Sequence, residues 1–339
     1  ANDGTNSATQ NITVNVTNVN EKPTITSSAS FTVDENQNDI GFITAQDDSE
    51  NLTFEITGTD SSSMSINNVT GALTFSVTPD YETKSTYSAI ARVYDDEYFT
   101  QKAFQVFITN LNDNTPSITS SATFSAVENQ TAIGTVTAND ADGDTLTYSL
   151  SGSDESSMSI NTSSGVLTFN SAPDYETKTS YTATVTASDG TNSATQNITV
   201  NVTNVNDNTP SITSSATFSA AENQTAIGTV TATDADGDTL TYSLSGSDES
   251  SMSINTSSGV LTFNSAPDYE TKTSYTATVT ASDGTNSATQ NITVNVTNVN
   301  DNTPSITSSA TFSAAENQTA IGTVTATDAD GDTLTYSLS

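Results

Sequence analysis

Four prolines cut this sequence into modules of one length: Pro23, Pro116, Pro210 and Pro304 stand 93, 94 and 94 residues apart. Each closes a joint of the same kind, written Asn110-Leu-Asn-Asp-Asn-Thr-Pro116, Asn204-Val-Asn-Asp-Asn-Thr-Pro210 and Asn298-Val-Asn-Asp-Asn-Thr-Pro304, with a degenerate first copy Asn18-Val-Asn-Glu-Lys-Pro23. Proline, with its φ fixed and no N–H, suits the first residue of an edge strand entering a new module. A period near 94 in 339 residues implies an array of about three and a half small domains, and a single large core is excluded. The boundaries follow. Residues 1–22 are the C-terminal remnant of a repeat, 23–115, 116–209 and 210–303 are full repeats, and 304–339 open another, so the chain reads as an excerpt of a longer protein. The second and third repeats differ only at Val127 against Ala221 and Asn139 against Thr233. Such near-identity suits a recently duplicated spacer better than distinct catalytic assignments; the first repeat is divergent.

Within a repeat the hydrophobic period is two, which predicts half-buried strands and no helices. Tyr181, Ala183, Val185 and Ala187 share one face, with Thr182, Thr184, Thr186 and Ser188 on the other; Ile198, Val200 and Val202 alternate likewise, as do Leu146, Tyr148 and Leu150. Shorter runs at 123–127, 133–138, 158–161 and 166–170, punctuated by Asp142-Gly143, Ser164-Gly165 and Asp189-Gly190, bring the count to about seven strands. The expected fold is all-β: tandem seven-stranded Greek-key sandwiches in a linear array. Phe124, Val136, Leu146, Tyr148, Ile160, Leu167, Phe169, Tyr181, Val185, Ile198 and Val200 would fill the core of the second repeat. That core is thin and rich in Ala and Thr, so its stability calls for outside help.

The charge balance says which partners could supply it. Against 40 Asp and Glu stand 6 Lys and Arg, a net charge of −34 that repels nucleic acid and anionic membranes and invites cations. With no Cys or His there is no thiolate or imidazole metal site, no Cys or His nucleophile and no disulfide framework. There is no apolar run near 18 residues and no basic-then-apolar N-terminus, so neither a transmembrane helix nor a signal peptide is expected in this segment.

Beyond the joint, four acidic positions keep station in the repeats: Glu128-Asn129, Asp140-Ala-Asp142-Gly-Asp144, Asp174-Tyr-Glu176 and Asp189. In this order they resemble the cadherin repeat: Glu-Asn in the first strand, Asp-x-Asp after the second, Asp-x-Glu near the middle, Ala-x-Asp-Gly after the sixth, and an Asp-x-Asn-Asp-Asn linker. The resemblance covers the whole chain and implies three calcium ions at each joint. Carried over, the joint between the second and third repeats would use Glu128, Asp174, Glu176, Asn206, Asp207, Asn208, Asp234, Asp236 and Asp283. The joint before it would use Glu35, Asp80, Glu82, Asn112, Asp113, Asn114, Asp140, Asp142 and Asp189. The one after it would use Glu222, Asp268, Glu270, Asn300, Asp301, Asn302, Asp328 and Asp330. Seven of the nine groups at the second-to-third joint are carboxylates, roughly −7 against +6 for three Ca²⁺, and all are the hard oxygen donors that Ca²⁺ prefers.

Other readings of the same residues are weaker. Asp174 with Glu176 could be a glycosidase pair, but it recurs at Asp80/Glu82 and Asp268/Glu270 with no aromatic-rich cleft beside it. The Asp140 stretch brushes the helix-loop-helix calcium loop, yet position twelve is Ser151 where Glu is required. Asp142-Gly-Asp144 taken alone is an ordinary solvated turn. Departures from the family pattern also stand out: the linker opens on Asn110, Asn204 or Asn298 where Asp is usual. At the first joint Glu21-Lys22 replaces Asp-Asn, and Asp47-Asp-Ser-Glu-Asn51 is one residue shorter than its counterpart. That joint is expected to hold fewer than three ions, through Glu21, Asp47 and Asp95, or to bend differently.

The resemblance therefore implies no enzyme. It implies a calcium-stiffened extracellular spacer, of the bacterial-type tandem kind, in a large cell-surface adhesin. Its partners would be calcium, neighbouring repeats, and other copies of itself or another cell surface. The alternative is a protomer of an extracellular fibre or sheath.

Overall fold

A computed structural model describes residues 1–48 and 51–339. The first full repeat shows how the alternation becomes a sandwich. Its strands are β1 (Thr24–Ile25), β2 (Ser30–Asp34), β3 (Asp39–Phe42), β4 (Ala45–Gln46), β5 (Thr53–Thr57), β6 (Met64–Ile66), β7 (Ala72–Phe75), β8 (Thr86–Tyr94) and β9 (Phe99–Thr109). There are nine segments where seven were expected, because the first two strands are each interrupted: β1 pairs antiparallel with β4, while β2 and β3 join two different sheets. One sheet runs β2-β9-β8-β5 and the other β3-β7-β6, with β2 and β9 parallel. Counted as whole strands, the repeat is the expected seven-stranded β-sandwich. Short strands recur at matching positions of the second repeat, among them Thr147–Ser151, Val166–Phe169 and Ser193–Thr203, and of the third, among them Thr217–Ala221, Ser274–Ser282 and Ser287–Thr297. The only helical pieces among the described residues are three-residue 3-10 turns such as Ser61–Ser63.

By contact density the described chain separates into two compact units, one of Ala1–Phe124, Ile133–Asn170 and Thr182–Thr199, the other of Ser125–Ala132, Ser171–Tyr181 and Val200–Ser339. The division passes through the second repeat. Each of the three complete joints falls wholly inside one unit.

In the first repeat Val33, Ile43, Leu73, Phe75, Val93, Phe104 and Val106 pack one cluster, and in the third Val230, Leu261, Phe263, Val279, Ile292 and Val294 form its copy. In the second repeat Val136, Tyr148, Leu167, Phe169, Val185, Ile198 and Val200 are buried as expected. Phe124, Leu146, Ile160 and Tyr181 reach only intermediate burial, at the rims of their strands. Met158, Ala183, Ala187 and Val202, absent from the expected core, are buried.

In the first and third repeats a lysine pairs with the aspartate that opens the 3-10 turn. Lys84 Nζ lies 2.5 Å from Asp60 Oδ1, and Lys272 Nζ 2.5 Å from Asp248 Oδ1. The other carboxylate oxygen accepts the N–H of Ser88 at 2.9 Å or of Thr276 at 2.8 Å. The lysine hydrogen bond, and then that backbone N–H, hold both Asp60 and Asp248 below the usual carboxylate range. A carboxyl depressed in the folded state stabilises above its unfolded pKa, and that contribution disappears as pH falls through the folded one. Asp248→Asn should therefore flatten the acid limb of the third repeat's stability profile below about pH 4; hydrogen exchange against pH measures it.

Gly71 marks where the packing allows no Cβ. Its φ is +71°, and a Cβ there would lie 2.2 Å from the Ile43 carbonyl oxygen. Gly71→Ala should destabilise the first repeat by about 2 kcal/mol or more, read as faster amide exchange at Leu73 and Phe75.

Candidate metal centres at the repeat joints

Each joint is organised by a buried glutamate. Glu128 follows the strand Thr123–Val127 and is 2% exposed. One of its oxygens accepts the N–H of Tyr175 at 2.8 Å, the other that of Val205 at 2.6 Å. It thereby fastens the Asp174-Tyr-Glu176 turn to the linker. Glu222 does the same with Tyr269 and Val299, and Glu35 with Tyr81 and Leu111. The next residue, Asn36, Asn129 or Asn223, has φ near +61°, a left-handed conformation that Asn tolerates. Its amide donates to Asp113, Asp207 or Asp301, each at 2.5 Å.

The linker is laced to the downstream repeat by one aspartate. Asp236 Oδ2 accepts the backbone N–H of Asp207 at 3.1 Å and of Asn208 at 2.8 Å, while Oδ1 accepts the Asn208 amide at 2.8 Å. Asp142 and Asp330 repeat this pattern. The linker's opening Asn uses its side chain, since Asn204 Nδ2 donates to the main-chain oxygen of Asp236 at 2.9 Å.

The result is like charge gathered in one place. Glu128, Glu176, Asp207 and Asp236 each offer a carboxylate oxygen, all within 4.8 Å of one another; so do Glu35, Glu82, Asp113 and Asp142, and Glu222, Glu270, Asp301 and Asp330. Asp140, Asp142 and Asp144 form a second group beside the first-to-second joint, and Asp234, Asp236 and Asp238 its copy. Burial raises Glu176 above the usual glutamate range, and repulsion from Glu128 and Asp236 pushes the same way. Glu82 and Glu270 are raised likewise, again chiefly by burial. Asp236 is held low instead, above all by the Asn208 amide.

Buried acceptors without donors complete the description. Asp140 Oδ2, Asp189 Oδ2, Asn110 Oδ1, Asn206 Oδ1, Asp234 Oδ2 and Asp283 Oδ2 are buried and accept no hydrogen bond. Such oxygens are costly unless a cation meets them. An oxygen-only donor set with orphaned acceptors fits a hard divalent cation.

Other expected residues are placed as follows. Asp174 and Asp268 accept the backbone N–H and the hydroxyl of Thr177 and Thr271, one on each carboxylate oxygen. Asn112 Oδ1 accepts the Asn192 amide at 3.3 Å. Asn300 bonds Asp332, and Asp328 Oδ1 accepts the N–H of Asp332 at 3.4 Å. At the first joint Asn18 bonds Asp48, and Asp95 keeps one buried oxygen without a partner. The shortened loop there includes residues 49 and 50, which lie outside the described residues. The sequence reading left out Asp144 and Asp238 as site residues, and Asn192 and Asn286, whose amides reach the Asn114 and Asn208 carbonyls at 3.2 and 3.3 Å. Their recurrence at one spacing in each repeat is the signal that could have found them.

Fold and joints together define a class: tandem β-sandwiches that share a carboxylate cluster at each linker. The family model for the cadherin domain matches residues 121–203 and 216–297. Human Protocadherin Fat 4 is 29% identical over 199 residues, covering 53% of this chain and 4% of that protein. Among solved structures, the Protocadherin GammaB4 extracellular domain matches with a TM-score of 0.69 at 25% identity, over 93% of this chain and 57% of its own. Mouse Cadherin-23 EC22-24 has a TM-score of 0.63 at 24% identity, over 82% and 99%. By the family model the second and third repeats are cadherin repeats, and the sandwiches share the fold of cadherin extracellular domains.

Glu128 gives a test that needs no metal. In chelator, Glu128→Ala strands the Tyr175 and Val205 N–H groups and should destabilise the second repeat by about 2–4 kcal/mol. Glu128→Gln keeps one acceptor and should cost roughly half as much. Urea unfolding followed by hydrogen exchange separates the two.

Proposed function

We propose that this segment is a calcium-binding, calcium-rigidified spacer of a cell-surface adhesin, and that it is not an enzyme. The observation that carries the reading is the recurrence, at three joints, of four converging carboxylates with a buried glutamate among them. Each set draws groups from two successive repeats, so a cation bound there bonds both at once. Without it the carboxylates repel and the linker is held by hydrogen bonds alone. About three Ca²⁺ per complete joint balance the charge of the ligand set inferred from the family, with the repeats running 23–115, 116–209 and 210–303 as its units.

Calorimetric titration of the chain should show several Ca²⁺ per joint with affinities on the order of 10⁻⁵ to 10⁻³ M. A stoichiometry below two per complete joint would sink the reading. Asp207→Ala should weaken binding at its own joint alone. Because Glu82, Glu176 and Glu270 hold protons above the ordinary glutamate range, protons should compete with the metal. Affinity should fall as pH is lowered from 7 to 5, with proton release on binding. The metal binds folded neighbours and not the unfolded chain, so chelator should lower the melting temperature; equal melting curves would mean the clusters are only solvated surface. The first joint, with Lys22 and no upstream glutamates in this segment, should take up fewer ions than the others.

A further inference from the structure

We propose that the outer face of the β5–β8–β9 sheet in the first repeat is a binding site for a neutral polysaccharide chain. The starting point is a contrast between repeats. On β8 and β9 the residues pointing away from the core include Arg92, Tyr94, Phe99 and Gln101; at the matching places the second repeat has Thr186, Ser188, Ser193 and Thr195, and the third has Thr280, Ser282, Ser287 and Thr289. An aromatic and charged surface has been built on one repeat and left plain on the duplicated pair.

Cross-strand register sorts this surface into two rows. Tyr94 lies opposite Phe99, and their rings stand 5.4 Å apart at 35°, a slightly twisted apolar shelf. Phe99 is 49% exposed. Two residue pairs along, about 7 Å away, runs the row Glu55, Arg92 and Gln101. Tyr94 Oη donates to Glu55 Oε2 at 2.8 Å, Arg92 Nε donates to Gln101 Oε1 at 3.4 Å, and the guanidinium carbon lies 6.0 Å from the Phe99 ring centroid. Flat apolar rings flanked by a planar donor fork, an amide and a carboxylate suit a ring with apolar C–H faces and hydroxyl edges.

Charge argues for a neutral occupant. At −34 the chain repels nucleic acid and acidic glycans, and the acidic turn Asp95-Asp96-Glu97 beside the two rings adds to that repulsion, while on the strands Arg92, the only arginine, balances Glu55. The apolar shelf of two rings is also small beside the roughly 1,200 Å² or more that a stable protein interface buries. This site goes beyond the spacer reading and does not depend on it, since no joint residue takes part.

The test is affinity electrophoresis of the whole chain, in calcium buffer, through gels carrying dextran, a β-glucan, a galactomannan or anionic alginate. The native chain should be retarded by at least one of the three neutral polymers and not by alginate alone. Y94S/F99S, which installs the residues of the second repeat, should weaken that binding at least about tenfold; R92T should weaken it less, and F42T, on the other sheet, should leave it unchanged. Retention of full binding by Y94S/F99S, no retardation by any neutral polymer, or retardation by alginate alone would overturn the proposal. Self-association in sedimentation that Y94S/F99S abolishes, without polymer binding, would equally overturn it. Calcium titration of Y94S/F99S should match the native chain, so failure of the spacer reading and failure of this one are told apart.

Discussion

A carboxylate buried between two chain segments governs these joints. Glu128 has no exposure to spare, and its two oxygens take one N–H from the Asp174 turn and one from the linker. Charge buried this way is stable only when fully bonded. The need to satisfy it fixes where the linker leaves the sandwich, and this in turn brings Asp207 and Asp236 beside Glu176. Hydrogen bonding builds the cluster; the cluster then presents a negative potential that hydrogen bonds alone cannot neutralise.

Two kinds of carboxylate work in each repeat. Asp60 and Asp248 face a lysine and are complete within one sandwich. Glu176 and Asp236 come from successive repeats and face each other. The first kind stabilises a domain by itself, whereas the second makes the state of a linker depend on what the surrounding solution supplies. Lys84 and Lys272 thus neutralise carboxylates inside the sandwiches, and the complete joints are left acidic.

Much of this was legible in the sequence, since period-two alternation needs no tertiary knowledge and five acidic motifs at fixed spacing outweigh any one of them. Four features were not. The interruption of the first two strands arises because β2 pairs with β9 while β1 pairs with β4, a choice between partners that local pattern does not encode. Asp174 also bonds the backbone N–H and hydroxyl of Thr177, a local contact that the motif does not announce. Asn129 looked like half of a motif and proves to be a left-handed corner that ties the first strand to Asp207. Exposed Phe99 was hidden for a simpler reason: without the register, an aromatic at the start of a strand cannot be assigned to a face.

The parallel pairing of first and last strands has a mechanical consequence. In the third repeat Thr217–Ala221 runs alongside Thr293–Thr297 in the same direction, five residues against five. Tension applied through the two ends of that repeat pulls these strands past each other along their length. The interstrand bonds then carry the load together, in shear, instead of parting one at a time like a zipper. A module so connected resists stretching where an antiparallel pair of terminal strands would peel.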